Sequence, residues 1–99
     1  MPEQLTLFPA EARPPSYVYV LWRSTANTFK IGVSSQPHRR ARQFGGRLVL
    51  IIPGGKDDER ALHARFAPYR VPGTEWFWPA RAIWEWLDQH DVETRALCS

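Results

Sequence analysis

The apolar residues of this chain come in short runs that glycine, proline and small polar residues interrupt. The longest runs, residues 17–22 and 48–52, fall far below the roughly 18 residues that a bilayer span requires. Both runs are rich in β-branched or aromatic residues, which favours strands over helices. A chain of 99 residues built from such runs predicts one small domain and excludes a membrane-spanning protein.

The order of the segments predicts the fold. Three strands are expected, over residues 17–22, 29–33 and 47–53. Three helices are expected, over residues 38–44, 57–67 and 79–97. Ser34 and Ser35 are good caps for the first helix, and Pro79 opens the last. We therefore expect an α/β (α+β) domain: a small three-stranded antiparallel sheet flanked by helices in the order β-β-α-β-α, then an aromatic extended segment and a C-terminal helix.

So small a domain needs large side chains in its core. We expect the aromatic residues of the C-terminal half to supply most of them: Trp76, Phe77, Trp78, Trp84 and Trp86. Four residues of the last predicted helix are spaced so that they share one face of it: Ile83, Trp84, Leu87 and His90.

Positive charge is concentrated in the first half of the chain. Between residues 12 and 56 there are eight basic residues and no acidic one, whereas from residue 75 onward two arginines stand against five carboxylates. Eleven of the thirteen cationic residues are arginine, which suits bidentate contact with phosphate. DNA is the expected partner, and a merely solvated basic surface is the alternative. The DNA-binding candidates are Arg39, Arg42, Arg47 and Lys56.

Four polar side chains fall on separate predicted elements: Tyr19, Lys30, Arg40 and Glu59. Hydrolysis of a phosphodiester needs a group that positions or deprotonates water, cations for the growing negative charge, and a carboxylate that holds a divalent ion. Mg²⁺ needs only one protein carboxylate when phosphate oxygens and waters supply its other ligands.

The motifs around these residues resemble the GIY-YIG endonuclease superfamily, in particular a phage and bacterial subgroup whose second motif reads KIG. The matching motifs are YVY at 17–19, KIG at 30–32, Arg40 eight residues after Gly32, ERALHARF at 59–66 and EWF at 75–77. The resemblance covers roughly residues 17–78 and implies a catalytic set of Tyr19, Lys30, Arg40 and Glu59.

The resemblance also implies a role for each residue. Tyr19 would orient or deprotonate the attacking water, Arg40 would stabilise the pentavalent phosphate, and Glu59 would bind a single Mg²⁺ or Mn²⁺. Gly32 would allow a close approach of the backbone to the site.

This chain departs from the family pattern at two positions. Tyr17 replaces the glycine of the first motif, and Lys30 replaces the tyrosine of the second. An ammonium such as that of Lys30 would favour the phenolate of Tyr19, or would clamp phosphate in a protein that only binds. The late asparagine of the family has no clear match.

Structural alternatives stand beside these roles. Tyr19 can be a strand residue with its hydroxyl in water, and Glu59 can be an N-terminal helix charge. His63 lies four residues after Glu59, on the same helical face. We expect it to pack and hydrogen-bond near the site, with metal ligation as the alternative.

Residues 1–16 are expected to form a flexible proline-rich tail, and 17–99 the domain. In the tail, the pentamer at residues 4–8 (QLTLF) resembles the bacterial sliding-clamp-binding peptide. Its partner-binding residues would be Gln4, Leu5, Leu7 and Phe8, with the apolar side chains in a pocket and the glutamine fixing orientation. The alternative is that the tail folds back as an edge strand.

These patterns predict a metal-dependent DNA endonuclease, tethered to the clamp in replication or repair. The alternative is a non-catalytic nucleic-acid-binding accessory module that uses the same basic face, and RNA is a second possible substrate. The lone Cys98 and the lack of a secretory signal favour a cytoplasmic, nucleoid-associated protein. We expect a monomer or a DNA-dependent dimer.

Overall fold

The computed structural model describes residues 15–90. The elements, in chain order, are β1 (Tyr17–Arg23), β2 (Thr28–Ser34), α1 (Pro37–Phe44), β3 (Arg47–Pro53), α2 (Lys56–Arg65), β4 (Trp76–Phe77) and α3 (Arg81–Asp88). A 3-10 turn, Ala67–Tyr69, follows α2. Within the described part of the chain, no helix has the length and apolarity to cross a membrane.

The strands form one antiparallel sheet in the spatial order β3-β1-β2-β4. The prediction of a three-stranded sheet is therefore wrong, because the aromatic segment adds a fourth strand at the edge of β2. This strand pairs Phe77 with Phe29 and Trp76 with Lys30. Two residues are too few to show the alternating pattern by which a strand is recognised in sequence.

The central strand β1 separates two cores, because successive side chains point to opposite faces of a sheet. The larger core lies on the side of α3 and the end of α2: Val18, Val20, Phe29, Ile31, Leu50, Phe66, Phe77, Ile83 and Trp86. The smaller core lies under α1 and contains Tyr19, Leu21 and Ala41, with Phe44 and Leu48 packed against it. Tyr19 is thus fixed on the same face as the basic helix.

A bulge in β3 lets this strand contribute to both cores. Val20 pairs with Leu50, but its neighbour Leu21 pairs with Leu48, so Val49 is an extra residue. The extra residue shifts the alternation of side chains by one, so that residues on either side of it point to opposite faces of the sheet. Leu50 therefore lies in the larger core while Leu48 packs on the smaller one.

The helix α1 agrees with the sequence in place and in its C-terminal boundary, but the expected caps are wrong: the N-cap is Gln36, and no side chain caps the helix. Pro37 lies in its first turn and Gly45 ends it in the left-handed region, at φ 69°. The helix α2 stops at Arg65 rather than at residue 67, because Pro68 lies in the 3-10 turn that follows.

The last helix departs further from its prediction. It begins at Arg81, since Ala80 is still extended, and its α-helical hydrogen bonding ends at Asp88. The buried residues are Ile83 and Trp86, so the predicted apolar face is rotated. Residues 91–97 of the predicted helix lie outside the described residues.

Only part of the aromatic set belongs to the core. Phe77 and Trp86 are buried, whereas Trp78 is 50% and Trp84 is 45% exposed. Trp84 nevertheless packs against Phe29, with ring centroids 4.8 Å apart. The prediction that these aromatic residues are mostly core is wrong for Trp78 and Trp84.

Candidate functional site

The site begins with a tyrosine that lies across a glycine. Tyr19 on β1 and Gly32 on β2 are direct partners in the antiparallel register. A Cβ at position 32 would lie 2.6 Å from Oη and 2.7 Å from Cζ of Tyr19. The phenol therefore occupies the space of a side chain at residue 32, and only glycine is compatible with it. Tyr19 is 3% exposed.

Burial raises the pKa of the Tyr19 hydroxyl, and this is the largest effect on it. The guanidinium of Arg40 opposes the change, while the carboxylates of Glu75 and Glu59 raise the pKa further. The structure thus differs from the expectation that Lys30 favours the phenolate, since the cation that lowers the pKa of Tyr19 is Arg40. At neutral pH the group is a neutral phenol with one guanidinium and two carboxylates in electrostatic range.

Lys30 is directed at Glu75 instead. Its Nζ donates to Oε2 of Glu75 at 2.8 Å, with side chains 7% and 51% exposed respectively. The ammonium lies 4.5 Å from the ring centre of Phe44 and 5.8 Å from that of Trp76. Lys30 is therefore a nearly buried cation with two aromatic walls and one carboxylate.

Glu75 lies at the centre of several charged groups. Its pKa is lowered, first by the hydrogen bond from Lys30 and then by the charges of Lys30, His63 and Arg70, while burial acts in the opposite direction. From the sequence, Glu75 is identifiable only as part of the EWF motif, which assigns it no role. The available signal was that a lysine within an apolar strand needs a counter-charge.

The helix α2 reaches the site because β4 is short. β4 covers only Phe29 and Lys30 of β2, which leaves the backbone of the following residues open at the edge. Nε2 of His63 donates to the carbonyl oxygen of Ile31 at 2.9 Å, and its ring packs 5.3 Å from that of Phe77. This packing is what we expected of His63, and it holds α2 beside Gly32.

Glu59 lies one helical turn before His63 and is half-buried in the first turn of α2. It acts on the pKa of Tyr19 across the edge of the sheet. Within residues 15–90 no cation forms an ion pair with Glu59. Its neighbour Asp58 instead accepts a hydrogen bond from the Gly55 backbone at the start of the helix.

An open cleft of about 370 Å³ runs along α1 and the residues that precede it. Its lining is polar or cationic throughout: Ser34, Ser35, Gln36, Arg39, Arg40 and Gln43. Arg40 belongs both to this cleft and to the surroundings of Tyr19. Arg40 therefore links the cleft electrostatically to the phenol.

The remaining predicted residues are spread over the molecule. Arg42 is exposed on α1, Arg47 begins β3 and Lys56 begins α2, and none of these three lines the cleft. Tyr17 is buried and pairs with Ser34. Gln4, Leu5, Leu7 and Phe8, with the rest of residues 1–14, lie outside the described residues.

The donor chemistry of Glu59 is compatible with one Mg²⁺ or Mn²⁺ ion. Among residues 15–90 no group of three or more His, Cys, Asp or Glu side chains is placed to hold a metal. Glu59 offers one unpaired carboxylate beside Tyr19, and Mg²⁺ commonly takes one or two carboxylates with phosphate oxygens and water as its other ligands. Glu75 is occupied by Lys30.

Comparison with known proteins gives a match at the level of the domain. The chain matches no curated protein and no solved structure. Residues 16–93 match the T5orf172 domain, which occurs in phage and bacterial proteins and is linked to nuclease-like folds. The match spans all the described elements and most of the sequence, and the chain therefore belongs to the T5orf172 domain family.

Proposed function

We propose that this protein is a DNA endonuclease of the GIY-YIG type that hydrolyses phosphodiester bonds with Tyr19, Arg40 and Glu59, next to Lys30. The observation that carries the proposal is a buried tyrosine hydroxyl that lies across Gly32, within electrostatic range of both Arg40 and Glu59. A solvated strand tyrosine has no need of this burial, of the glycine or of these neighbours. Family membership supports a nuclease-related or DNA-binding role.

In the proposed reaction, a water oxygen bonds to phosphorus while an ester oxygen leaves and takes up a proton. The water loses its proton to solvent. With the raised pKa of its hydroxyl, Tyr19 acts as a neutral phenol that accepts a hydrogen bond from the water and orients it, and not as a phenolate base. Orientation in a near-attack position accounts for a large part of the rate in such reactions.

Arg40 carries the electrostatic part of the reaction. Arg40 lines the cleft and lies in electrostatic range of the phenol, so its guanidinium would bind two phosphate oxygens and offset the negative charge that grows on them. Glu59 would hold the divalent ion, which supplies Lewis-acid stabilisation of phosphate when bound.

The test is cleavage of supercoiled, linear, single-stranded and branched DNA, and of RNA, with Mg²⁺, Mn²⁺ or EDTA. We expect metal-dependent cleavage that falls by about 10²- to 10³-fold in Tyr19→Phe and in Glu59→Ala. The matched control is Asp57→Asn, an exposed carboxylate of the same helical turn that pairs with Arg60 at 3.6 Å. It should cleave at the wild-type rate.

The second candidate is a nucleic-acid-binding module without catalysis. It is favoured by the cleft, whose lining consists of donors suited to phosphate and contains no carboxylate. Salt-sensitive DNA binding without cleavage of any substrate, retained in Tyr19→Phe and Glu59→Ala, would decide for this candidate.

We also propose that residues 4–8 bind a bacterial sliding clamp. The support is the sequence alone, which places Leu5, Leu7 and Phe8 in an otherwise polar, proline-rich segment. A peptide of residues 1–12 should bind purified clamp, and the double change Leu7→Ala and Phe8→Ala should abolish binding. Absence of binding at tens of micromolar clamp contradicts this proposal without affecting the nuclease.

A further inference from the structure

The pair of Lys30 and Glu75 is asymmetric. The lysine side chain is 7% exposed and fixed between Phe44 and Trp76, whereas the glutamate side chain is 51% exposed and 2.8 Å away. The cation is held by the fold, and its partner stands at the surface. Of the two charged groups, only the carboxylate can leave without breaking the core.

The pair also lies at the end of the basic helix. Phe44, which packs on the ammonium, is the last residue of α1 and follows Arg40 by one helical turn. Arg23 donates to the carbonyl oxygen of Phe44, and its guanidinium lies 4.1 Å from the ring centre of Trp76. A polyanion that follows α1 from the cleft past Arg40 therefore meets the position now filled by Glu75.

We propose that Lys30 is a phosphate-binding residue whose site the carboxylate of Glu75 fills in the free protein, and that the backbone of bound DNA displaces this carboxylate. The inference rests on the DNA-binding part of the proposed function and does not require cleavage. A carboxylate and a phosphodiester present similar anionic oxygens to an ammonium. DNA is held at several other contacts, so it competes with a single tethered carboxylate where a free anion does not.

Other positive groups besides Lys30 are available to the carboxylate of Glu75 when it is displaced. The charges of His63 and Arg70 both act on it and contribute to its lowered pKa. Arg70 is exposed and belongs to the same turn, where its Nε donates to the carbonyl oxygen of Thr74. The displaced carboxylate therefore keeps positive neighbours.

The experiment measures the binding of the full chain to a labelled DNA duplex in EDTA over a range of salt concentrations. The variants are Glu75→Gln, Lys30→Met and the double variant, with circular dichroism as the check of folding. The matched control is Glu85→Gln, which removes a carboxylate paired with Arg81 at 2.9 Å on α3. Cleavage does not occur in EDTA if the proposed metal dependence is right.

We expect Glu75→Gln to bind DNA about two- to fivefold more tightly than wild type, because it removes a competitor of ordinary ion-pair strength. Lys30→Met should lower the slope of log K against log salt by about 0.9, the loss of one phosphate contact. In the Lys30→Met background, Glu75→Gln should change affinity no more than Glu85→Gln does in wild type.

A purely structural pair gives different results. In that case Lys30→Met keeps the wild-type salt slope, and Glu75→Gln gains no more affinity than Glu85→Gln, which overturns the inference. If Lys30→Met does not fold, the comparison of Glu75→Gln with Glu85→Gln decides alone. If neither wild type nor Glu75→Gln binds DNA, the inference fails together with DNA binding. A protein that binds but never cuts contradicts only the nuclease.

Discussion

At the scale of single residues, the properties of Tyr19 come from its neighbours rather than from its own chemistry. The ring of Tyr19 lies against Gly32, burial keeps its hydroxyl protonated, and Arg40 and Glu59 lie in electrostatic range of that hydroxyl. The sequence identifies Tyr19 and Gly32 because both stand in recognisable motifs. The sequence cannot show that Glu75 acts on the same hydroxyl, because Glu75 is far from Tyr19 in the chain and only the folded structure brings it into electrostatic range.

Gly32→Ala should destabilise the protein and abolish activity together. The new methyl group would meet a buried ring at 2.7 Å, and overpacking of this kind costs about 1–3 kcal/mol. Urea unfolding measures the loss. The cost of Gly32→Ala should be smaller in a Tyr19→Leu background, and an equal cost in both backgrounds would show that the ring is not what the methyl group meets.

Glu75 should make stability depend on acid pH. Its pKa is lowered in the folded protein, so its contribution is fully present above the unfolded-state pKa and is lost as the pH falls through the folded-state pKa. At neutral pH the free energy of unfolding should be about 1 kcal/mol higher for wild type than for Glu75→Gln, a difference limited by the exposure of the carboxylate. When unfolding is measured from neutral pH into the acid range, the free energies of unfolding of the two proteins should become equal.

A stability difference between wild type and Glu75→Gln that grows as the pH falls would contradict the lowered pKa of Glu75. Glu85→Gln is the control, because its ion pair with Arg81 is exposed on both sides.

At the scale of elements, the sequence predicted the hairpin, the basic helix and the third strand because each has a local pattern and a clear terminator. It predicted an extended or strand-like segment at 75–78 but did not count it in the sheet, since two residues carry no period, and it predicted the apolar face of α3 in a rotated position. That rotation has a physical cause: Trp86 enters the core while Trp84 stays at the surface against Phe29. Spacing alone does not choose between two tryptophans in one helix.

The position of α2 depends on His63, so His63→Ala should loosen this helix more than it affects the sheet. The change leaves the Ile31 carbonyl without its partner, which costs about 1–3 kcal/mol. Amide hydrogen exchange should rise first in α2. His63→Gln can still donate a hydrogen bond and should recover part of the protection. Equal exchange in His63→Ala and wild type would contradict this role.

At the scale of the whole molecule, charge is distributed by face as well as along the chain. Arg39 and Arg40 line the cleft of α1, while Glu85 and Asp88 are exposed on α3, which packs on the opposite side of the sheet. The separation along the chain could be read from the sequence because the basic and acidic segments are contiguous, but the placement on opposite sides of the sheet could not. A nucleic acid should therefore approach from the side of α1.

Arg39→Gln should weaken DNA binding equally for all sequences and lower the salt slope by about one. The physical reason is the loss of one phosphate contact in a cleft whose lining contains no aromatic side chain. Arg81→Gln, on α3, removes the same charge and should leave the slope unchanged. Similar slopes for both variants would place the DNA elsewhere.

The short strand β4 has one more consequence. An edge strand with unpaired backbone groups can recruit another chain, and proteins commonly cover such edges. Here α2 covers the edge of β2 that β4 leaves open, through the contact of His63 with Ile31. Loss of the His63 contact should therefore expose this edge to pairing with another chain, and we expect self-association as a second consequence of His63→Ala.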